Sequence, residues 1–142
     1  MNACQVSSNR WFATGASPSD NCYSLKSEHN EFTLKRLNLT CKPRTGHRLM
    51  YINDHVFCIG GKVSGKPSRF VEKLRLGTEH YLWQNCQQVP KPVSNFGLTK
   101  LNDTCMLLVG SGPSNCLFAS VYDANADSWS LTVDLQQPSL NV

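Results

Sequence analysis

Seven cysteines and four histidines are the side chains of this sequence best able to ligate a metal or carry a nucleophilic attack. The cysteines stand at Cys4, Cys22, Cys41, Cys58, Cys86, Cys105 and Cys116, with no C-x-x-C pair among them. Zinc sites are assembled from such closely spaced ligands, so the spacing predicts no structural metal. An odd number of cysteines spread through strand-like segments predicts instead reduced, buried thiols that pack as small apolar side chains. A catalytic Cys–His pair needs the imidazole within hydrogen-bond reach of the thiol. His29, His47, His55 and His80 suggest none, and His47 and His55 flank one apolar hairpin near its opposite ends. Cys116 is the single thiol in a glycine-rich loop, after "GSGPSN", where exposure would make it reactive; a packed thiol is the plainer reading. Asp123, Asp127 and Asp134 fall in turns and at a strand end, where aspartate bends and caps backbone. The expectation is a chain with no catalytic, cofactor-binding or metal-ligating residue of its own.

The elements that carry these residues repeat. "PRTGHRLMYINDHVFCIGG", from Pro43, and "PVSNFGLTKLNDTCMLLVGS", from Pro92, each place an Asn-Asp turn (Asn53-Asp54, Asn102-Asp103) between two short apolar runs. The second run ends on glycine both times, at Gly60-Gly61 and at Gly110. Such a pair of runs rich in β-formers around a polar turn predicts a hairpin. A loop follows in each copy, "KVSGKPS" and "SGPSN", then a third strand, "RFVEKLRL" and "CLFASVYD", a turn, "GTEH" and "ANAD", and a fourth strand, "YLWQNC" and "SWSLTVDL". Trp83 and Trp129 stand at matching places, after Leu76 and Tyr122 respectively. A weaker first copy reads "ACQVSS", "RWFATGA", the loop "SPSDN", "CYSLKSE" and "EFTLKRLNL", with Gly15 in the glycine place and Phe32 in the tryptophan place. No helical periodicity of useful length occurs.

The class is therefore all-β, in three units of four strands over residues 2–39, 45–87 and 94–135 of a single region, 1–142. Four-stranded sheets repeated in this way predict a β-propeller, with sheets packed face to face around a channel. The glycines at the ends of the deep second strands permit positive φ and close backbone approach. A tryptophan on the outer strand fills the wedge between adjacent sheets. A ring of about four to eight blades closes, so three leave it open. Uncovered terminal faces are then expected to expose side chains such as Trp11, Phe12, Phe118 and Leu131, and to drive self-association unless missing blades are supplied.

"PRTGH", "CIGG" and "VYDANADSW" resemble the kelch repeat, whose units run to about fifty residues. The third unit, "LLVGSGPSNCLFASVYDANADSWSLTVDL", is most similar to the closing kelch repeat of the tRNA wybutosine-synthesizing protein 4 family, paralogues of leucine carboxyl methyltransferase. Gly110, Gly112, Asn115, Cys116, Phe118, Asp134 and Leu135 match its pattern, while Ser111 and Pro113 interrupt the glycine run. The resemblance implies a structural hydrogen-bonding role for His47. It also implies a non-catalytic, substrate-binding or scaffold region of an S-adenosylmethionine-dependent tRNA methyltransferase, whose catalytic domain precedes the propeller. No Gly-rich strand-to-helix turn for a methyl donor occurs here, so no cofactor is expected in this chain. The other reading is a general kelch protein-interaction adaptor; an independent enzyme is the least favoured.

Composition sets the remaining expectations. A chain of 142 residues with 40% hydrophobic and 17% charged side chains suits a folded domain rather than a disordered one. No apolar run reaches the ~18 residues of a membrane helix, and "MNACQVSSNRWF" lacks the charged and apolar regions of a secretory signal, so a cytoplasmic protein away from membranes is expected. Asn38 and Asn102 head Asn-x-Thr sequons that read as chance matches in that compartment. The net charge of +4 is mild, and the basic residues read as scattered, so tRNA binding by this chain alone is expected to be weak and without sequence preference. The partner is expected to be a protein or the missing blades. The candidate interaction loop is Ser111, Gly112, Pro113, Ser114, Asn115 and Cys116, on the same rim as Ser17 to Asn21 and Lys62 to Ser68.

Overall fold

The structure is a computed structural model that describes residues 2–15, 21–40, 42–77, 81–111 and 117–135. Its strands form three four-stranded antiparallel sheets and one two-stranded ribbon. The first sheet runs β1 (Asn2–Ser7), β2 (Arg10–Thr14), β3 (Asn21–Glu28) and β4 (Glu31–Thr40) in sequence order. The second contains β5 (Arg48–Ile52), β6 (His55–Ile59), β9 (Val71–Arg75) and β10 (Gln84–Asn85), and the ribbon pairs β7 (Lys62–Val63) with β8 (Lys66–Pro67). The third contains β11 (Asn95–Lys100), β12 (Cys105–Ser111), β13 (Leu117–Asp123) and β14 (Ser128–Leu135). The all-β class is thus present, and no helix among the described residues is long and apolar enough to cross a membrane.

Side-chain parity explains why the sheets stack. In β13 the even positions Phe118, Ser120 and Tyr122 are buried and the odd positions only half-buried. β6 abandons alternation, Val56, Phe57, Cys58 and Ile59 all being buried, because both faces of the middle sheet are covered. One face packs Val56, Cys58, Leu74 and Leu49 against Phe12, Cys22 and Leu37 of the first sheet. The other packs Ile52, Phe57, Ile59 and Val71 against Phe96, Met106, Leu108, Phe118 and Tyr122 of the third. The first strands adjoin across the sheets, β1 beside β5 and β5 beside β11.

The tryptophans act at these two junctions. Trp83 meets Phe12 of the first sheet edge-on, with centroids 6.0 Å apart and planes at 73°. Trp129 lies 5.0 Å from Tyr122, and its indole N–H donates to the Gln87 carbonyl at 2.9 Å, tying the third sheet to the segment after the second. Tyr122 crosses the same junction to Phe57, at 5.5 Å. Phe32, at the corresponding place in the first sheet, enters no junction between sheets among the described residues and is 68% exposed.

The glycines at the ends of the second strands are required by what surrounds them. Gly60 has φ +62, and a Cβ there would lie 2.8 Å from Val93 Cγ2 and 2.9 Å from the Val93 carbonyl oxygen. Gly110 has ordinary φ but admits no side chain, since a Cβ would lie 2.7 Å from Phe96 Cβ. Gly15 is buried and its N–H donates to the Asn21 carbonyl at 2.9 Å.

Four expectations are corrected. Phe12 and Phe118 are not on uncovered faces: they are 1% and 0% exposed, because each points into an inter-sheet junction. Trp11 is half-buried on the outer face of the first sheet, and the Leu131 side chain lies outside the described residues. The fourth strand of the middle sheet keeps only Gln84–Asn85, since Tyr81 and Trp83 are drawn into the inter-sheet cluster and Pro90 and Pro92 have no N–H to extend pairing. The loop after β6 is not irregular but folds into the β7–β8 ribbon over Ser64 (φ 52) and Gly65 (φ 78). The two Asn-Asp turns also differ. Asn53 and Asp54 both take positive φ in a two-residue hairpin, whereas the Asn102 carboxamide oxygen accepts from the Thr104 and Cys105 amides at 2.9 and 2.8 Å across a longer connection.

Candidate functional site

The meander puts alternate connections at opposite ends of the stack. One end gathers the segments 42–47, 60–70 and 86–94, and the opposite end gathers the turns 29–30, 53–54, 101–104 and 124–127. Hydrogen bonds hold the sheets in this common orientation. Asn2 Nδ2 donates to the His47 carbonyl at the first end, and Asn53 N donates to the Asp103 carbonyl at 3.0 Å at the other.

The first end is a plate of interlocked backbone. Thr45 and Lys62 exchange N–H···O bonds of 3.1 and 2.7 Å, Gly61 N donates to the Val93 carbonyl at 2.9 Å, and Val93 N donates to the Ser68 carbonyl at 3.0 Å. Gly61, at φ +86, lies so close to Thr45 that a Cβ would stand 2.6 Å from its carbonyl oxygen. Beneath the plate Arg44 is 1% exposed; it is ion-paired with Glu72 and donates Nη1–H to the Gly60 carbonyl at 3.2 Å. This pair fixes the connection between the first two sheets onto β6 and β9.

The plate carries cations. Lys42, Arg48, Lys62, Lys66 and Arg69 are all exposed at this end. Lys42 sits 3.4 Å above the Phe70 ring, Arg48 Nε–H donates to the Phe96 carbonyl at 3.0 Å, and Arg69 Nε–H to the Val89 carbonyl at 2.7 Å. These contacts orient the stems and leave the charges uncompensated by carboxylates. Among the described residues the acids near this end are Glu72 and Asp134, taken by Arg44 and Lys91 respectively, and Asp127, which accepts the Gln87 N–H and lines one pocket with Arg69. Glu28, Glu31, Asp54, Asp103 and Asp123 lie at the opposite end, mixed with Arg10, Arg75 and Lys100. Lys42, Arg48, Lys62, Lys66 and Arg69, which read as scattered in the sequence, thus gather at one end. Exposed cations over an aromatic ring on a rigid backbone suit a polyanion.

Among the described residues neither the histidines nor the cysteines assemble a reactive centre. His47 is buried with Nε2 2.6 Å from Thr14 Oγ1, and His55 Nδ1 bonds the Asn53 carbonyl oxygen at 2.6 Å. Burial, then the Arg44 charge, lowers the His47 pKa to about 4, so the ring is neutral at pH 7. Cys22 and Cys58 are buried between the first two sheets, and burial pushes the Cys4 thiol up to about 12. The Tyr122 hydroxyl donates to Asp127 Oδ1 at 2.6 Å; burial, then that carboxylate, raises its pKa. Asp127 Oδ1 also accepts the Gln87 N–H at 2.9 Å, so this aspartate serves the junction. Among the described residues no three His, Cys, Asp or Glu side chains are grouped to hold a metal. A cavity of about 280 Å³ between the first two sheets is lined by Arg10, Phe12, Leu37, Tyr51 and Tyr81 among others, without a paired acid and base.

Of the expected interaction loop, Ser111 ends β12 and is half-buried, while Gly112 to Cys116 lie outside the described residues. The basic end was missed in the sequence, although a signal is present. The segments 41–47, 60–70 and 86–94 contain no Asp or Glu at all. No protein-family model matches this sequence, and no curated protein matches it.

Proposed function

We propose that this chain is a binding section of a β-propeller and that its basic end receives the phosphates of an RNA. The observation that carries the reading is the convergence of Lys42, Arg48, Lys62, Lys66 and Arg69 on one backbone-braced end, where among the described residues the acids are engaged by Arg44, by Lys91 and by the Tyr122 hydroxyl and Gln87 N–H. The kelch-like repeats extend it. In this reading the three sheets are kelch blades and the chain is the non-catalytic, substrate-binding region of a tRNA wybutosine-synthesizing protein 4-like methyltransferase. Binding by this chain alone is weak and indifferent to sequence, since exposed cations reach phosphates, which carry no base identity.

The test is a titration of labelled tRNA at about 50 and 150 mM salt, with the Lys62→Glu/Lys66→Glu variant alongside. Engaging four or five phosphates gives a log–log salt slope of roughly −4, and the variant reduces it by about two units. A wild-type affinity independent of salt, or untouched by the double substitution, overturns the reading. A second reading, a protein-interaction adaptor, is favoured by Leu82 and Leu101, 73% and 51% exposed away from the basic end. A protein ligand held there would bind the Lys62→Glu/Lys66→Glu variant as well as the wild type.

A further inference from the structure

Among the described residues nothing covers one face of the first and of the third sheet, and the two faces differ in kind. On the first sheet, pairing sets Trp11 opposite Leu25, Leu25 opposite Leu34 and Ser27 opposite Phe32, so these apolar side chains share the outer face. Leu34 and Phe32 are 58% and 68% exposed there, and the Trp11 and Phe32 rings lie 6.4 Å apart. On the third sheet, Leu107 opposes Val121, Val109 opposes Ala119 and Ala119 opposes Val133. That face is aliphatic, with Val109 38% and Val133 52% exposed.

We infer that the occupant of both faces is a second copy of this chain, the first sheet of each packing on the third sheet of the other. This rests on the propeller reading above, and two observations favour it. The packing already exists twice within the chain. At each internal junction the later sheet presents a face bearing a tryptophan, Trp83 or Trp129, to the earlier one, and Phe32 is the second residue of β4 as Trp129 is of β14. The outer face of the first sheet is thus the same kind of surface, lacking only its predecessor, and the outer face of the third sheet is the predecessor kind. The area also suffices. A face four strands wide and about six residues long covers roughly 400 Å², so two junctions bury about 1,600 Å², the size of a stable interface. Two copies of three sheets make a ring of six, within the range of about four to eight at which propellers close.

The test is the mass of the full chain by light scattering after gel filtration, with Leu34→Lys and Val133→Glu, both at exposed positions and checked for folding by circular dichroism. The wild type is expected at twice 15.8 kDa. Each variant alone is expected as a monomer, because its ring would contain two damaged junctions. An equimolar mixture is expected to recover the dimer, since one junction then pairs lysine with glutamate and the other is native. A wild-type monomer at about 100 μM, a dimer indifferent to either substitution, or a mixture that stays monomeric overturns the proposal. X-ray scattering from the Leu34→Lys monomer separates the two failures. A profile that fits three radially stacked sheets leaves the propeller reading standing without the second copy, and one that does not fit removes both.

Discussion

The buried ion pair under the basic end offers the sharpest test of how the stack is held. Arg44 is 1% exposed and ion-paired with Glu72, whose side chain is 11% exposed, and it also serves the Gly60 carbonyl at 3.2 Å. Arg44→Met keeps most of the stem volume but leaves the largely buried Glu72 carboxylate without its partner. Breaking a buried pair on one side costs about 3–5 kcal/mol, because a desolvated charge loses its partner. At roughly 3 °C per kcal/mol for a chain of this size, the melting temperature falls by about 10–15 °C. Arg44→Met/Glu72→Leu removes both charges and leaves the Gly60 carbonyl short of one donor, worth about 1–2 kcal/mol. The double variant is therefore expected to be more stable than the single one, with a coupling of about 2–3 kcal/mol. Urea unfolding followed by tryptophan fluorescence, at one fixed protein concentration, supplies the values. A single variant within about 1 kcal/mol of the wild type, or a double variant at the sum of the two singles, would refute the reasoning.

Two further outcomes are expected. The folded-state pKa of His47, about 4 against an ordinary 6.5, means that the unfolded chain binds the extra proton between those values. Stability from this group is complete above pH 6.5 and is lost as pH falls towards 4, by about 3 kcal/mol at ~1.36 kcal/mol per unit. His47→Gln removes that slope, and urea melts at pH 7 and 4.5 that change equally in both proteins would contradict it. Gly60→Ala must accept φ +62 and a Cβ 2.8 Å from Val93, whereas Gly65→Ala meets φ +78 with nothing within 4 Å. The first is expected to cost about 2–4 kcal/mol and the second about 1 kcal/mol; equal losses in urea unfolding would show that crowding at Val93 contributes nothing.

The parts of the fold legible in the sequence are those where local chemistry is unambiguous. "VFCI" reads as a deep strand because it has no polar position to offer a solvent face, and all of its residues are buried. The Asn53-Asp54 turn reads as a hairpin because both residues tolerate the positive φ that they adopt. Face assignment was not legible. "RWFAT" is apolar at adjacent positions, so alternation alone does not say whether Trp11 or Phe12 points inward; the answer depends on which neighbouring sheet exists. The same ambiguity misplaced Phe118. The basic end was hidden for a different reason, since Lys42 and Arg69 are far apart in the chain and meet only because the strands run back and forth.

That ambiguity of faces is itself informative about assembly. A sheet at the edge of a finished stack needs one polar face, yet Phe32, Leu34, Val109 and Val133 leave apolar outer faces on both terminal sheets. A ring of two copies covers those faces and has consequences for the charged end. Because β1, β5 and β11 lie side by side, the channel runs along the strands, and the two-fold axis of a head-to-tail pair coincides with it. Rotation about that axis leaves the ends of the strands on their own side. Both basic plates then face the same direction, and both acid-bearing ends face the other. Pairing like face with like face would instead require an axis across the channel, which sets the plates on opposite sides. Only the head-to-tail arrangement doubles the cations that a single polyanion meets, so apolar closure and charge polarity converge on the same assembly.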